Sequence, residues 1–125
     1  MAVLDSSAII HVLSGTKTGE QLKTQFGEEA ISTTAISLNE VFIGLRTDAE
    51  RKTAVEFFKE LEVLAFDETA AFKSIEIENS LKKNGKLIGK LDMMIAAICI
   101  VHGLPLLTTD NDFKNVSSLK VLRLN

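Results

Sequence analysis

Apolar positions along the chain form two patterns, short runs and helix-spaced stripes, which alternate from end to end. Five short segments, among them apolar runs bounded by polar residues and one alternating segment at the end, predict β-strands at AVLD (2–5), EAISTT (29–34), EVLAF (62–66), LPLLTT (104–109) and KVLRL (120–124). Six longer segments carry apolar residues three and four positions apart, which predicts helices at 6–15, 18–27, 37–46, 48–61, 67–85 and 91–103. Residues 110–116 predict a turn or a short helix.

The alternation of strands and helices predicts an α/β fold in which a small parallel β-sheet is sandwiched between helices. A length of 125 residues fits a single domain over residues 1–125, and no repeat, linker or low-complexity tract divides the sequence. The segment 91–103 is apolar over nearly its whole length, so we expect it to form the central buried helix.

Composition and charge reduce the number of protein classes to which this chain could belong. The formal net charge of −3 does not by itself indicate a nucleic-acid-binding protein, although a bound metal ion can reverse the local field. A single cysteine, Cys99, forms neither a disulfide framework nor a zinc site. No apolar stretch reaches the roughly 20 residues that span a bilayer, and the first residues lack the pattern of a signal peptide. We therefore expect a soluble cytoplasmic protein without a membrane partner.

Acidic residues stand in otherwise apolar segments at four places. Asp5, Glu40 and Asp110 each follow a predicted strand. Because ligands of open α/β sheets bind outside the carboxyl ends of the strands, we expect these three carboxylates to gather at one edge. Asp92 lies in the first turn of the helix at 91–103, and the sequence pattern leaves its position relative to that edge open.

Each acid taken singly also has a structural explanation. Asp5 and Asp110 can cap the helix or turn that follows them. Glu40 stands three residues after Ser37, which fits a capping box. Asp92 lies where a negative charge favours a helix N-terminus. The functional hypothesis therefore depends on the four acids being considered together.

Converging carboxylates repel one another and burial raises their pKa, and a divalent cation relieves both effects. Oxygen ligands without histidine or cysteine favour Mg²⁺ or Mn²⁺, ions that orient phosphate groups and generate a hydroxide nucleophile. Other chemistries fit less well, because no serine, histidine and acid group into a triad by pattern and no GxxxxGK[ST] loop is present. A phosphoacceptor receiver domain would need a second acid after the first strand, where Ser6 and Ser7 follow Asp5.

Four segments together carry a resemblance to a known family: VLDSSAII (3–10), ISLNEVFIGL (36–45), IGKLDMMIAAICIVHGLPLLTTDNDF (88–113) and VLRL (121–124). In order and spacing they resemble a PIN-domain ribonuclease, specifically a VapC-type toxin of a toxin–antitoxin pair. The resemblance implies a PIN-like fold, metal-dependent hydrolysis of phosphodiester bonds in cellular RNA, and usually a homodimer. It also implies a cognate VapB-like antitoxin as the partner.

The resemblance assigns site positions to residues of this chain. Asp5 and Asp92 match the two principal metal ligands, and Glu40 and Asp110 match two further acids. Ser7 and Thr108 match two supporting hydroxyls, and Asp112 is an adjoining acid. Of the two aspartates after the strand at 104–109, we favour Asp110 as the fourth acid, since it comes first. Many relatives carry an acid or asparagine just before the third acid, where this chain has Lys90 and Leu91.

We expect Glu40 to lie in the first turn of its helix and to point off the sheet edge, while Leu38, Phe42 and Leu45 face the core. Four lysines precede Asp92: Lys82, Lys83, Lys86 and Lys90. They fit either a solvated helix end or a surface that contacts the RNA backbone.

Two further interpretations stay open. A PIN-fold module could bind RNA or a protein without cutting, although an intact set of four acids disfavours it. A metal-assisted DNA nuclease would use the same acids and would differ only in substrate. In either nuclease case we expect Mg²⁺ or Mn²⁺ as the cofactor.

Overall fold

The computed structural model describes residues 1–26 and 31–123, and it places five strands in one fully parallel sheet. In chain order the strands are β1 (Ala2–Leu4), β2 (Ile31–Thr34), β3 (Glu62–Leu64), β4 (Leu106–Thr108) and β5 (Val121–Arg123). Their order across the sheet is β3-β2-β1-β4-β5. The predicted α/β class and the parallel sheet are therefore confirmed, and β5 lies at an edge of the sheet.

Helices occupy the connections between strands, as the periodicity predicts. They are α1 (Ser6–Ser14), α2 (Lys17–Phe26), α3 (Ala35–Ile43), α4 (Asp48–Phe58), α5 (Glu68–Lys83) and α6 (Lys90–His102). The segment predicted as a turn or short helix contains a 3₁₀ helix at Asp112–Asn115. The predicted element ends at 27, 29–30 and 124 lie outside the described residues.

Both faces of the sheet are buried at its central strands β1 and β4, which is why these two strands are largely apolar. Side chains alternate along each strand, so Val3 and Leu106 pack on one face in a core with α5 and α6. Their neighbours Leu4 and Leu107 pack on the other face, in a core with α1, α3 and α4. Each sheet face is therefore covered by helices, as the predicted sandwich requires.

The strand order creates a reversal at the centre of the sheet. From β1 the chain proceeds outward through β2 and β3, and it then returns through α5 and α6 to form β4 and β5 on the other side of β1. The reversal lies between β1 and β4, and open α/β sheets bind ligands at such a switch point, outside the carboxyl ends of the strands. Asp5 and Asp110 follow these two strands.

The helix α6 is the central buried helix that the sequence predicts. Residues 95–99 in its middle are at most 1% exposed. It is also short, at 13 residues. Within residues 1–26 and 31–123, no helix combines the length and apolar character needed to cross a membrane.

Candidate active site

Asp5 sits at the junction of β1 and α1, where it serves as a helix cap. Its Oδ1 atom accepts hydrogen bonds from the backbone N–H of Ala8 at 3.0 Å and from Ser7 Oγ at 2.6 Å. Its Oδ2 atom accepts from Thr108 Oγ1. The residue is only 3% exposed. Since each carboxylate oxygen accepts about two bonds, Oδ2 keeps room for one further partner.

The hydroxyl groups that the family resemblance singles out connect the ends of β1 and β4. Thr108 Oγ1 donates to Asp5 and accepts from the backbone N–H of Asp110 at 2.9 Å. Ser7 Oγ accepts from the backbone N–H of Thr109 at 3.1 Å. These bonds fix the segment after β4 against the start of α1, so the two strand ends present their acids in a set orientation.

Asp92 lies in the first turn of α6, whose N-cap position is Gly89 and offers no side-chain cap. Because α6 leads back into a parallel strand, its N-terminus returns to the carboxyl edge of the sheet. One carboxylate oxygen from each of Asp92, Asp110 and Asp112 lies within 4.8 Å of the others. The question that the sequence leaves open is thereby answered, since Asp92 joins the acids at that edge.

Asp110 and Asp112 both belong to this cluster, whereas the sequence pattern favours one of them as the fourth acid. Asp110 Oδ1 accepts from the backbone N–H of Asp112 at 2.8 Å, which orients one carboxylate. Asp110 is half-buried, whereas Asp112 is exposed. A carboxylate that is held and partly desolvated is better prepared to bind a cation than an exposed one, which favours Asp110 as the primary ligand.

Two expectations about Glu40 are wrong. Its helix begins at Ala35 with Thr34 as the N-cap, and Thr34 Oγ1 accepts from the backbone N–H of Ser37 at 3.0 Å. Glu40 therefore lies in the second turn of α3, not the first, and Ser37 is not the cap. The β-branched Thr34 ends β2 and caps α3 at once, so the helix starts earlier than the apolar stripe indicates.

Glu40 is nevertheless connected to the site. Ser6 Oγ donates to Glu40 Oε1 at 3.3 Å, which joins α3 to the first turn of α1. Leu38, Phe42 and Leu45 pack against the core, as predicted. The sequence pattern does not single out Ser6. Its position next to Asp5 is a signal, but the pattern cannot show that its hydroxyl reaches a helix 34 residues away.

The acids repel one another. Burial, followed by the charges of Asp110, Glu40, Asp5 and Asp112, raises the pKa of Asp92 to about 6. Burial also raises the pKa of Asp5, although hydrogen bonds from Ser7, Thr108 and Ala8 act in the opposite direction. A pKa raised by converging like charges is typical of functional sites, and a cation would restore the charged forms.

A first prediction concerns the unfolding free energy of the metal-free protein. Burial and the neighbouring acids raise the pKa of Asp92 in the folded protein from its ordinary value of 3.8 to about 6, so stability falls as the pH rises between these values. The full shift corresponds to about 3 kcal/mol, and solvent screening at this half-buried group reduces it. Asp92→Asn should therefore stabilise the metal-free protein by about 1–2 kcal/mol at pH 7.5 and hardly at pH 4, as measured by urea unfolding with EDTA.

The matched control is Glu68→Gln, because Glu68 is also an acid in the first turn of a helix. It should cost a few tenths of a kcal/mol through the helix dipole alone. If Asp92→Asn instead destabilises the protein at pH 7.5, Asp92 acts mainly as a favourable helix-terminus charge.

The donor set fits a hard divalent cation. Asp92, Asp110 and Asp112 converge through carboxylate oxygens, and Asp5 Oδ2 keeps one acceptor position. Neither histidine belongs to the group, which is an oxygen-only set of the kind that Mg²⁺ or Mn²⁺ prefers.

The lysines that precede Asp92 are partly engaged within the protein. Lys90 Nζ lies 3.1 Å from Glu78 Oε1, and Lys82 Nζ lies 3.4 Å from Glu78 Oε2. Lys90 and Asp92 are two positions apart on α6, so their side chains leave the helix in different directions. Lys90 therefore lies close to the site in sequence but is turned toward α5.

A groove of about 470 Å³ runs beside the site between α1, α3 and the start of α4. Its lining is largely apolar and includes Ile10, Leu13, Val41 and Leu45. Glu40 lines it too, so the groove and the acidic cluster share a residue. Ile10 is 51% exposed there, which leaves an apolar side chain available to a partner.

Comparisons with known proteins agree with this architecture. Residues 2–119 match the family model described as PIN domain. Ribonuclease VapC1 of Rickettsia felis is 34% identical over 131 residues, covering 98% of this chain and 96% of that protein.

Two solved structures are similar in fold. The VapBC2 structure from Rickettsia felis, bound to a DNA fragment from its promoter, superposes with a TM-score of 0.87 at 19% identity, covering 99% of this chain and 98% of that chain. The VapBC-5 structure from Mycobacterium tuberculosis, a member of the VapBC family of toxin–antitoxin systems, superposes with a TM-score of 0.76 at 25% identity, covering 98% and 97%.

Proposed function

Because the chain belongs to the PIN-domain family, we propose that it is a metal-dependent endoribonuclease and the toxin of a toxin–antitoxin pair. One observation carries the proposal: the carboxylates of Asp92, Asp110 and Asp112 converge at the switch point of the sheet, where the charge of Asp5 also acts on Asp92. A relative that is 34% identical over nearly the whole chain is a VapC ribonuclease, which supports RNA as the substrate. The protein would act on cellular RNA in the cytoplasm.

Asp5, Asp92 and Asp110 would hold the metal ion, with Glu40 completing the set directly or through water. Asp112 is a supporting acid next to Asp110. When bound, Mg²⁺ or Mn²⁺ neutralises phosphate charge and lowers the pKa of bound water. Asp5 would bind through Oδ2, because Oδ1 already accepts two hydrogen bonds.

The chain itself contributes orientation. The hydroxyl of Thr108 donates to the Asp5 carboxylate and accepts from the backbone N–H of Asp110, so one side chain connects the Asp5 carboxylate to the backbone of Asp110. Ser7 holds the other oxygen of Asp5. Such partners keep ligating carboxylates in place before a cation or a substrate arrives, which reduces reorganisation during the reaction.

The four lysines of the sequence prediction are proposed as auxiliary contacts with the RNA backbone. Changing Lys86 and Lys90 together to alanine should weaken binding to all RNAs alike, since phosphate contacts position but do not specify. The log–log salt slope should flatten by about 0.7 for each lysine–phosphate interaction that the variant removes. Fluorescence anisotropy across a salt series measures both effects.

A matched control removes two lysines from the opposite edge of the sheet. Lys59 ends α4 just before β3, and Lys120 precedes β5, so both lie at the amino ends of strands. Lys59→Ala/Lys120→Ala should keep the parental slope. An unchanged salt slope of RNA binding in Lys86→Ala/Lys90→Ala would show that those lysines form a solvated surface and do not contact RNA.

The partner that we propose is a VapB-like antitoxin, since the VapBC-5 structure is of a toxin–antitoxin system. The groove beside Glu40 fits an apolar segment of such a partner that carries a basic residue at the acidic end. Arginine suits this position, because its guanidinium donates two parallel hydrogen bonds to a carboxylate. The homodimer that the family resemblance implies stays a prediction.

The deciding experiment incubates the purified protein with labelled single-stranded RNA and DNA panels. Internal cleavage of RNA should require Mg²⁺ or Mn²⁺ and should stop with EDTA. Cleavage of DNA alone would support the DNA-nuclease alternative. Tight RNA or protein binding without cleavage in either metal would support a non-catalytic PIN-fold module.

A further inference from the structure

Two successive hydroxyl residues at the start of α1 serve two different acids. Ser7 Oγ donates to Asp5 Oδ1 at 2.6 Å. Ser6 Oγ donates to Glu40 Oε1 at 3.3 Å, across 34 positions of sequence. Ser6 is not the cap of α1, because Asp5 accepts the bond from the N–H of Ala8. The hydroxyl of Ser6 therefore has no capping role to explain it.

Glu40 is held differently from the other acids. Asp5 and Asp110 accept bonds from backbone N–H groups, which are fixed by the fold. In the part of the chain that the structure describes, the only donor to the Glu40 carboxylate is the side chain of Ser6. Glu40 also lines the apolar groove, so its flexible side chain has two surroundings available, the acidic cluster and the groove.

We propose that Ser6 is a positioning residue that fixes the Glu40 carboxylate toward the acidic cluster and so completes the metal site. The inference rests on the proposed metal-dependent function. Ser6 and Asp5 are adjacent on the same backbone, so the bond ties one oxygen of the Glu40 carboxylate to the start of α1, next to Asp5, while the residue also lines the groove. Removing the hydroxyl would leave the charge of Glu40 in place but release its orientation.

The test compares Mn²⁺ affinity by titration calorimetry in the full-length protein and three variants. Ser6→Ala should weaken Mn²⁺ binding about tenfold, the lower end of the range for partners that orient metal ligands. Ser6→Thr, which keeps the hydroxyl, should restore the affinity. In a Glu40→Gln background, Ser6→Ala should cause no further loss, because its effect passes through the Glu40 carboxylate.

A structural role alone would not give this pattern. Ser14→Ala, at the other end of α1, is the control and should bind Mn²⁺ like the parent. Alanine favours helices, so Ser6→Ala should fold, and thermal unfolding checks it. The inference alone would be overturned if Ser6→Ala bound Mn²⁺ as tightly as the parent. It would also be overturned if Ser6→Ala caused the same loss of Mn²⁺ affinity in the Glu40→Gln background as in the parent. A parent protein that binds no Mn²⁺ would overturn the proposed metal site as well.

Discussion

Replacing Asp92 with asparagine should reduce metal-dependent RNA cleavage by more than about a hundredfold, because loss of a partner outside the metal's own ligands already costs about 10–100-fold. The carboxylate of Asp92 lies in the group of oxygens within 4.8 Å of one another. Asparagine keeps the shape but removes one anionic ligand. Single-turnover cleavage of a labelled RNA and Mn²⁺ titration should both show the loss.

Asp92→Asn is a cleaner variant than Asp5→Asn. Asp5 also caps α1 and accepts the hydroxyl of Thr108, so its replacement disturbs the fold and the site together. The first turn of α6, in contrast, uses no side-chain cap from Asp92. Relief of repulsion should even stabilise the metal-free variant, so lost activity cannot be attributed to unfolding.

The control is Asp48→Asn, since Asp48 is an acid in the first turn of α4. Cleavage and Mn²⁺ affinity should match the parent there. Full activity in Asp92→Asn would exclude Asp92 as a ligand and would return it to its helix-terminus role.

The parts of the site that follow strands could be predicted from the sequence. Asp5 and Asp110 stand just after apolar runs, and the rule that parallel strands share a carboxyl edge brings them together. The position of Asp92 could not be predicted, because two helices, α5 and α6, connect β3 to β4, and only the folded structure shows that Asp92 of α6 lies beside Asp110. Local pattern and topology therefore agree at Asp5 and Asp110 alone.

The parts that depend on a cap or on a long-range contact could not be predicted. Thr34 ends a strand and caps α3, which moves Glu40 to the second turn, and periodicity alone did not show that start. The bond from Ser6 to Glu40 spans 34 positions. The turn of Lys90 toward Glu78 depends on how α5 packs against α6. These features are set by tertiary packing, which a single sequence does not encode in its local pattern.

Co-expression with the cognate antitoxin, sought as the product of the neighbouring gene, should restore growth to cells that the protein alone inhibits. A ribonuclease toxin of the proposed kind needs an inhibitor in the cell that makes it. The acidic cluster attracts a cation, and Glu40 joins that cluster to an apolar groove. An antitoxin segment with an arginine near Asp5, Glu40 and Asp92 could therefore displace metal or block RNA while its apolar residues fill the groove.

A variant of the groove separates inhibition from catalysis. Ile10→Glu places a charge where the partner's apolar residues would lie, and it removes none of the carboxylates of the proposed metal site. The copurifying complex should weaken at least about tenfold, since a central apolar contact is often worth about 2 kcal/mol or more. RNA cleavage by the free variant should be unchanged, so its toxicity should persist despite co-expression.

Val55→Glu, a similarly exposed apolar position of α4 outside the groove, should be rescued like the parent. Rescue of Ile10→Glu to the same degree would place the antitoxin on another surface, because an unpaired glutamate in a buried apolar contact should not be tolerated.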